Sequence, residues 1–245
     1  MRGSGGNHFP RPLPLWGVNH FGSKSMCAAV HQHGLRYPHP GVTGVVLAGG
    51  EGRRLGRDKT SLRLPGQSLD LLQKTVDLLR QVTADVRVSC RADQPDRAAR
   101  AGVPQLEDIY PGGGALRAVC SVLRQVNRPC LIIACDLPFL NAEVLRILLE
   151  RRESRPPHTL LTAWRQKENG LVQSLTAVYE PGCLPLLEAA IKADLWRLNH
   201  VIPEVHRLYV DFAEEQSAPF WNVNHLQDWE EAIKNRNLTP SDSPE

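Results

Sequence analysis

No apolar run in the 245 residues approaches the roughly 18 to 20 that a membrane span requires. The N-terminus, MRGSGGNHFPRP, has no apolar stretch behind Arg2 and so no secretory h-region. The expectation is a cytoplasmic protein with no membrane partner. Cysteine is present but unpatterned: Cys27, Cys90, Cys120, Cys130, Cys135 and Cys183 contain no CxxC pair, which argues against a zinc knuckle or a disulfide framework. Scattered through apolar segments, they read as small buried hydrophobes in a reducing compartment. Charge of one sign is also lacking. With 29 basic against 26 acidic residues the formal net charge is +3, and no basic stripe with interleaved aromatics appears, so no nucleic-acid partner is expected. What remains, with 42% hydrophobic and 22% charged residues, is the composition of an ordinary globular chain.

Residues 1–40 are rich in Gly, Pro and His and follow neither a helical nor a strand period. They read as a flexible extension, or as sequence upstream of a start nearer Met26. The spacing of His8, His20, His31 and His33 fixes no metal site. Residues 238–245 read as a polar tail, and 41–237 as one domain. Within it, short apolar strands alternate with helical patterns, the signature of an α/β fold with a mainly parallel sheet. Strands are expected over Val42–Leu47, Val86–Cys90, Val103–Leu106, Leu131–Ala134, Leu175–Tyr179 and Leu208–Val210. Helices are expected around Leu69, Leu72, Val76 and Leu79, over Ala115–Val126 and Ala142–Arg152, and in a closing helix with a capping-box-like Asn224 and Gln227 and an apolar face of Leu226, Trp229 and Ile233.

The most informative segment follows the first strand: Leu47-Ala48-Gly49-Gly50-Glu51-Gly52-Arg53-Arg54-Leu55-Gly56-Arg57-Asp58-Lys59. Small residues let backbone N–H groups approach a phosphate chain, and Arg54 and Lys59 bring positive charge to a triphosphate. The Walker A pattern does not fit, because Arg57 and Asp58 separate Gly56 from Lys59. The dinucleotide fingerprint does not fit either, since the run Gly50, Gly52, Gly56 is one residue too long. A glycine-rich turn with solvated charges is the plain alternative. Further on, Asp136 follows the apolar run Leu131–Ala134, which places its carboxylate at the carboxyl edge of a sheet, where α/β folds hold ligands. A helix N-cap before Pro138 is its other reading. Asp108, likewise, stands at a strand end and could be a simple turn residue before Tyr110-Pro111.

The run LAGGxxxRxGxDK resembles the signature of the molybdenum cofactor guanylyltransferases, the MobA-like group within the Rossmann-like nucleotidyltransferases, at every fixed position. The similarity runs from about Thr43 to Ala232 through Glu107-Asp108, Pro111-Gly112-Gly113-Gly114, Cys135-Asp136-Leu137-Pro138 and Asn222-Val223-Asn224. The resemblance implies a Rossmann-like three-layer sandwich with a mainly parallel sheet. It also implies a transferase with nucleotide contacts at Leu47, Ala48, Gly49, Gly50, Lys59, Ser89, Asp108 and Asp136, catalytic roles for Arg54, Lys59 and Asp136, and Mg²⁺ held by Asp136. GTP is favoured because relatives that use CTP usually show LAAG where this chain has Gly49-Gly50.

Departures gather on the acceptor side, where Gln173, Asn222 and Asn224 are the candidate residues. The usual GPLxG is Gly114-Ala115-Leu116-Arg117-Ala118, QP is Gln173-Ser174, and NxNTP is Asn222-Val223-Asn224-His225-Leu226. Arg117, Arg165, Lys167 and Arg197 could offer cations to an anionic pterin or be solvated charges. The resemblance implies transfer of GMP from GTP to molybdopterin, with or without molybdenum, in molybdenum cofactor biosynthesis, the product passing to molybdoenzymes or their chaperones. Two rivals stand beside it: a nucleotidyltransferase using CTP or a sugar phosphate, and a nucleotide-binding adaptor without catalysis.

Overall fold

The central strands are rich in Val, Ile and Leu because both of their faces are covered. The computed structural model describes residues 35–50 and 58–235. Its sheet comprises β1 (His39–Leu47), β2 (Thr83–Cys90), β3 (Gln105–Glu107), β4 (Cys130–Ala134), β5 (Leu161–Gln166), β6 (Val172–Tyr179) and β7 (Arg207–Phe212), in the order β3-β2-β1-β4-β6-β5-β7. Strands β1 to β4 pair in parallel. Strand β6 is antiparallel to both β4 and β5, and β7 is parallel to β5, so β6 alone runs against the rest.

The helices are α1 (Leu71–Arg80), α2 (Pro95–Ala101), α3 (Ala115–Val126), α4 (Ala142–Glu153), α5 (Leu184–Lys192) and α6 (Leu226–Asn235). Successive strand residues face opposite ways. Val46 and Ile133 therefore pack with Leu72 and Val76 of α1 and Leu145 and Leu148 of α4. Val45 and Ile132, one residue earlier, pack with Val119 and Leu123 of α3 and Leu187 of α5. This is the expected three-layer arrangement.

The local signals explain most boundaries. Asp70 and Gln73 form a reciprocal capping box that starts α1, which leaves Leu69 outside the helix and exposed rather than on its apolar face. Asn141 caps α4, its Oδ1 accepting from the Val144 N–H at 3.1 Å. Asp136 is thus not that helix's cap. At α6 the cap is also different from the one expected: Asp228 reaches back to accept from the N–H groups of Asn224 (2.7 Å) and His225 (2.6 Å). Leu226 is exposed, and Trp229 and Ala232 carry the buried face. Strand β5 and helix α5 have no counterpart among the sequence expectations. Five of the cysteines, Cys90, Cys120, Cys130, Cys135 and Cys183, are buried and free, and Cys27 lies outside the described residues. No helix among the described residues is long and apolar enough to cross a membrane.

Candidate functional site

Parallel strands deliver the residues that follow them to one edge of the sheet. Leu47, the last residue of β1, is in register with Ser89 of β2 and Ala134 of β4. Ala48, Gly49 and Gly50 leave β1 at the edge where Asp136 leaves β4, and Asp108 follows β3 nearby. Ala48 is buried and its N–H donates to the Ser89 carbonyl at 2.8 Å.

Gly49 has a steric reason to be glycine. A Cβ there would come within 2.6 Å of Asp108 Oδ2. The other oxygen, Oδ1, accepts from Ser89 Oγ at 2.9 Å, so the carboxylate is held against the loop backbone. Burial pushes the Asp108 carboxyl above its usual range, against the Ser89 hydrogen bond and the Arg91 charge. At Gly50, by contrast, a Cβ would meet open space.

Lys59 sits in a 3-10 turn, Lys59–Ser61, capped by the Asp58 carboxylate, which accepts from the Thr60 N–H. Its Nζ donates to Asn224 Oδ1 at 2.9 Å and lies 3.4 Å from Asp136 Oδ2. The Val223 N–H donates to the Asp136 carbonyl at 3.0 Å, which fixes the 222–224 segment beside the strand end. Asp136 Oδ1 is buried without a hydrogen-bond partner. Burial raises the Asp136 carboxyl above the ordinary carboxylate range, and the neighbouring Lys59 ammonium opposes that shift. An ammonium and a carboxylate with one uncommitted oxygen thus share the site.

Asn224, expected on the acceptor side, is joined to Lys59. The cluster's hydrogen bonds run through Asn224 and not through Asn222, which is exposed, or Gln173, half-buried on β6. Arg54 lies outside the described residues. Of the four cations weighed for the acceptor, Arg117 is buried, pairs with Asp194 at 3.3 Å and stacks 4.1 Å over the exposed Trp196 ring. Arg165 is engaged by Asp211, donating from Nε at 2.7 Å and from Nη2 at 3.1 Å. Lys167 and Arg197 are exposed. Sequence reasoning missed Arg97 and Arg100 of α2, whose side chains reach Asp58 and Thr60. The available signal was their spacing, three apart on a helix and hence on one face.

No group of three or more His, Cys, Asp or Glu able to hold a metal occurs among the described residues. Asp136 still fits Mg²⁺, which is commonly bound by one or two carboxylates completed by phosphate oxygens and water. Its buried, unpartnered Oδ1 is the donor such an ion would use.

Residues 44–206 match the family described as the MobA-like NTP transferase domain. The chain is 31% identical over 202 residues to a probable molybdenum cofactor guanylyltransferase of Pelotomaculum thermopropionicum, covering 82% of this chain and 89% of that protein. A protein of the same name from Mycobacterium tuberculosis is 33% identical over 187 residues, covering 75% and 89%. The fold is similar to that of molybdopterin-guanine dinucleotide biosynthesis protein A from Archaeoglobus fulgidus, with a TM-score of 0.63 at 22% identity over 80% of this chain and 98% of that one. It is also similar to that of a cytidylyltransferase from Leptospira borgpetersenii, with a TM-score of 0.56 at 13% identity over 82% and 88%.

Proposed function

The chain belongs to the MobA-like NTP transferase family and is a nucleotidyltransferase, and from that premise we propose that it transfers GMP from GTP to molybdopterin, or its molybdenum-loaded form, releasing pyrophosphate. The observation that carries this reading is the meeting of Lys59 Nζ with Asp136, whose second oxygen is free, at the carboxyl edge of the sheet. The names of its curated relatives support the choice of substrates. Molybdoenzymes or their chaperones would receive the product in the cytoplasm.

In this reaction the acceptor's terminal phosphate attacks the α-phosphorus of GTP. A phosphorus–oxygen bond forms to the acceptor, the bond to the bridging oxygen breaks, and pyrophosphate leaves with that electron pair. The nucleophile is already anionic near neutral pH, so no general base is required. Lys59 neutralises charge on the phosphate chain, with Asn224 fixing where its ammonium sits. Arg54 and the Gly49-Gly50 backbone complete the phosphate contacts. Asp136 would hold Mg²⁺ through Oδ1, and the bound ion would supply charge stabilisation at the phosphates. Asp108, its Oδ1 held by Ser89, keeps Oδ2 beside Gly49 as an acceptor for a base donor such as guanine N1–H. The choice of GTP over CTP is supported by the names of the curated relatives.

The test is pyrophosphate release by the purified full chain with GTP or CTP, with and without molybdopterin, and with Mg²⁺ or a chelator. Release only with GTP, pterin and Mg²⁺ together is expected. Preferential use of CTP would reassign the nucleotide, and tight binding without release would make the chain a binding adaptor.

A further inference from the structure

We propose that Arg97 and Arg100, on one face of α2, are positioning residues that clamp the Asp58 and Thr60 side chains on either side of Lys59 and the backbone carbonyls at the start of the glycine-rich loop, and so aim the Lys59 ammonium into the site. The inference rests on the nucleotide-binding reading only for the role of Lys59 and not for the identity of the base. Arg97 is buried. Its Nη1 donates to the carbonyls of Ala48 and of Gly50, the latter at 3.1 Å, and to Gln94 Oε1 at 3.1 Å. Its Nη2 donates to Asp58 Oδ1 at 3.2 Å. One guanidinium therefore holds the residues just before and just after positions 51–57. Arg100 Nη2 donates to Thr60 Oγ1 at 2.8 Å, and its Nε lies 2.9 Å from the carboxylate of buried Asp70.

Asp58 and Thr60 flank Lys59, and the Thr60 N–H and Oγ both donate to the Asp58 carboxylate. The two arginines thus hold a closed turn through the residues on either side of Lys59, leaving its side chain to reach Asn224 and Asp136. In a trans peptide the N–H points opposite to the C=O. Drawing the Ala48 carbonyl toward α2 therefore turns the Gly49 N–H away from α2. Fastening α2 to the sheet does not need the arginines, because Ala98 and Ala101 provide its apolar packing. A buried guanidinium spread over three neutral oxygens and one carboxylate is suited to fixing backbone geometry, a task the fork of Arg performs and the single ammonium of Lys does not.

The experiment uses the full chain with Arg97→Met, Arg97→Lys, Arg100→Met and Arg100→Lys, alone and combined with Lys59→Ala, with melting temperature as the check on folding. Two readouts are taken. The first, without any nucleotide, is the rate of Lys59 acylation by an amine-reactive ester, followed by peptide mass spectrometry. Both Met variants should raise that rate several-fold, and an unchanged rate in a folded variant would overturn the proposal. The second is the affinity for Mg²⁺ with GTP. Either Met variant should weaken it about tenfold or more, the loss expected for hydrogen bonds to a charged group. Arg100→Lys should restore most of the loss and Arg97→Lys little. In the Lys59→Ala background, Arg100→Met should change affinity less than twofold, because it acts through the missing amine. An undiminished penalty there would mean a general structural role and would overturn the proposal. Should the parent protein fail to bind GTP, the substrate assignment falls while the acylation rates still decide this inference.

Discussion

Lys59, Asp136 and Gly49 each make a separate demand on chemistry. Lys59→Ala should reduce turnover about a hundredfold to a thousandfold, the range for losing one charge-stabilising donor, as measured in steady-state assays at saturating Mg²⁺. Asp136→Asn keeps the shape but loses the anionic oxygen, so the Mg²⁺ concentration for half-maximal activity should rise about tenfold or more. The pH dependence follows from burial of the same group. A raised carboxyl value favours the neutral form in the folded protein, so this group's contribution to stability is present at low pH and lost as pH rises through the folded value. Cation binding has the opposite sign, because it needs the ionised form. Mg²⁺ binding to the nucleotide-free protein, followed by titration at a series of pH values, should therefore weaken on acidification above the range of an exposed aspartate, and Asp136→Asn should remove that pH dependence. Gly49→Ala should push the Asp108 carboxylate off Ser89 and, on the proposed reading, lower the ratio of kcat/KM for GTP to that for CTP.

Helix α4 illustrates how an element holds the site without touching it. Its cap, Asn141, fixes where the chain turns after Asp136-Leu137-Pro138, and Asn141→Ala should cost about 1 kcal/mol in denaturant unfolding. Elements with an uninterrupted signal were legible. Helix α3 occupies the expected Ala115–Val126, and the apolar run of β4 lies where its residues place it. The missed elements had interrupted signals. Strand β5 pairs with β6 through a register shift between Ala163 and Arg165, which breaks the alternation a reader follows. Helix α5 carries Pro185 in its first turn, where proline is tolerated but reads as punctuation.

For the whole molecule, the C-terminal helix closes the site from the other end of the chain. Trp229, Ala232 and Val223 pack against Leu62, Leu64 and Leu71, so the segment after Lys59 and the segment carrying Asn224 share one apolar cluster. Trp229→Ala should cost about 3 to 5 kcal/mol. It should also weaken Mg²⁺–GTP binding in the protein that remains folded, because the Lys59–Asn224 bond depends on that packing. Chemical denaturation and a nucleotide titration on the same variant separate the two effects.

The sequence by itself determined the α/β alternation, the glycine-rich turn after the first strand and the appearance of Asp136 at a strand end, because these depend on local periodicity and backbone preference. Tertiary structure decided which side chains meet. Lys59 reaches Asp136 across 77 positions and Asn224 across 165, Arg97 grips the loop from a helix 49 positions beyond Ala48, and Asp108 stands against Gly49. Parallel crossovers bring the chain after β1 and after β4 to a common edge, the cluster of Leu62, Leu64 and Leu71 with Val223 and Trp229 brings Asn224 to Lys59, and α2 carries Arg97 to the loop, and no periodicity along the chain encodes these meetings.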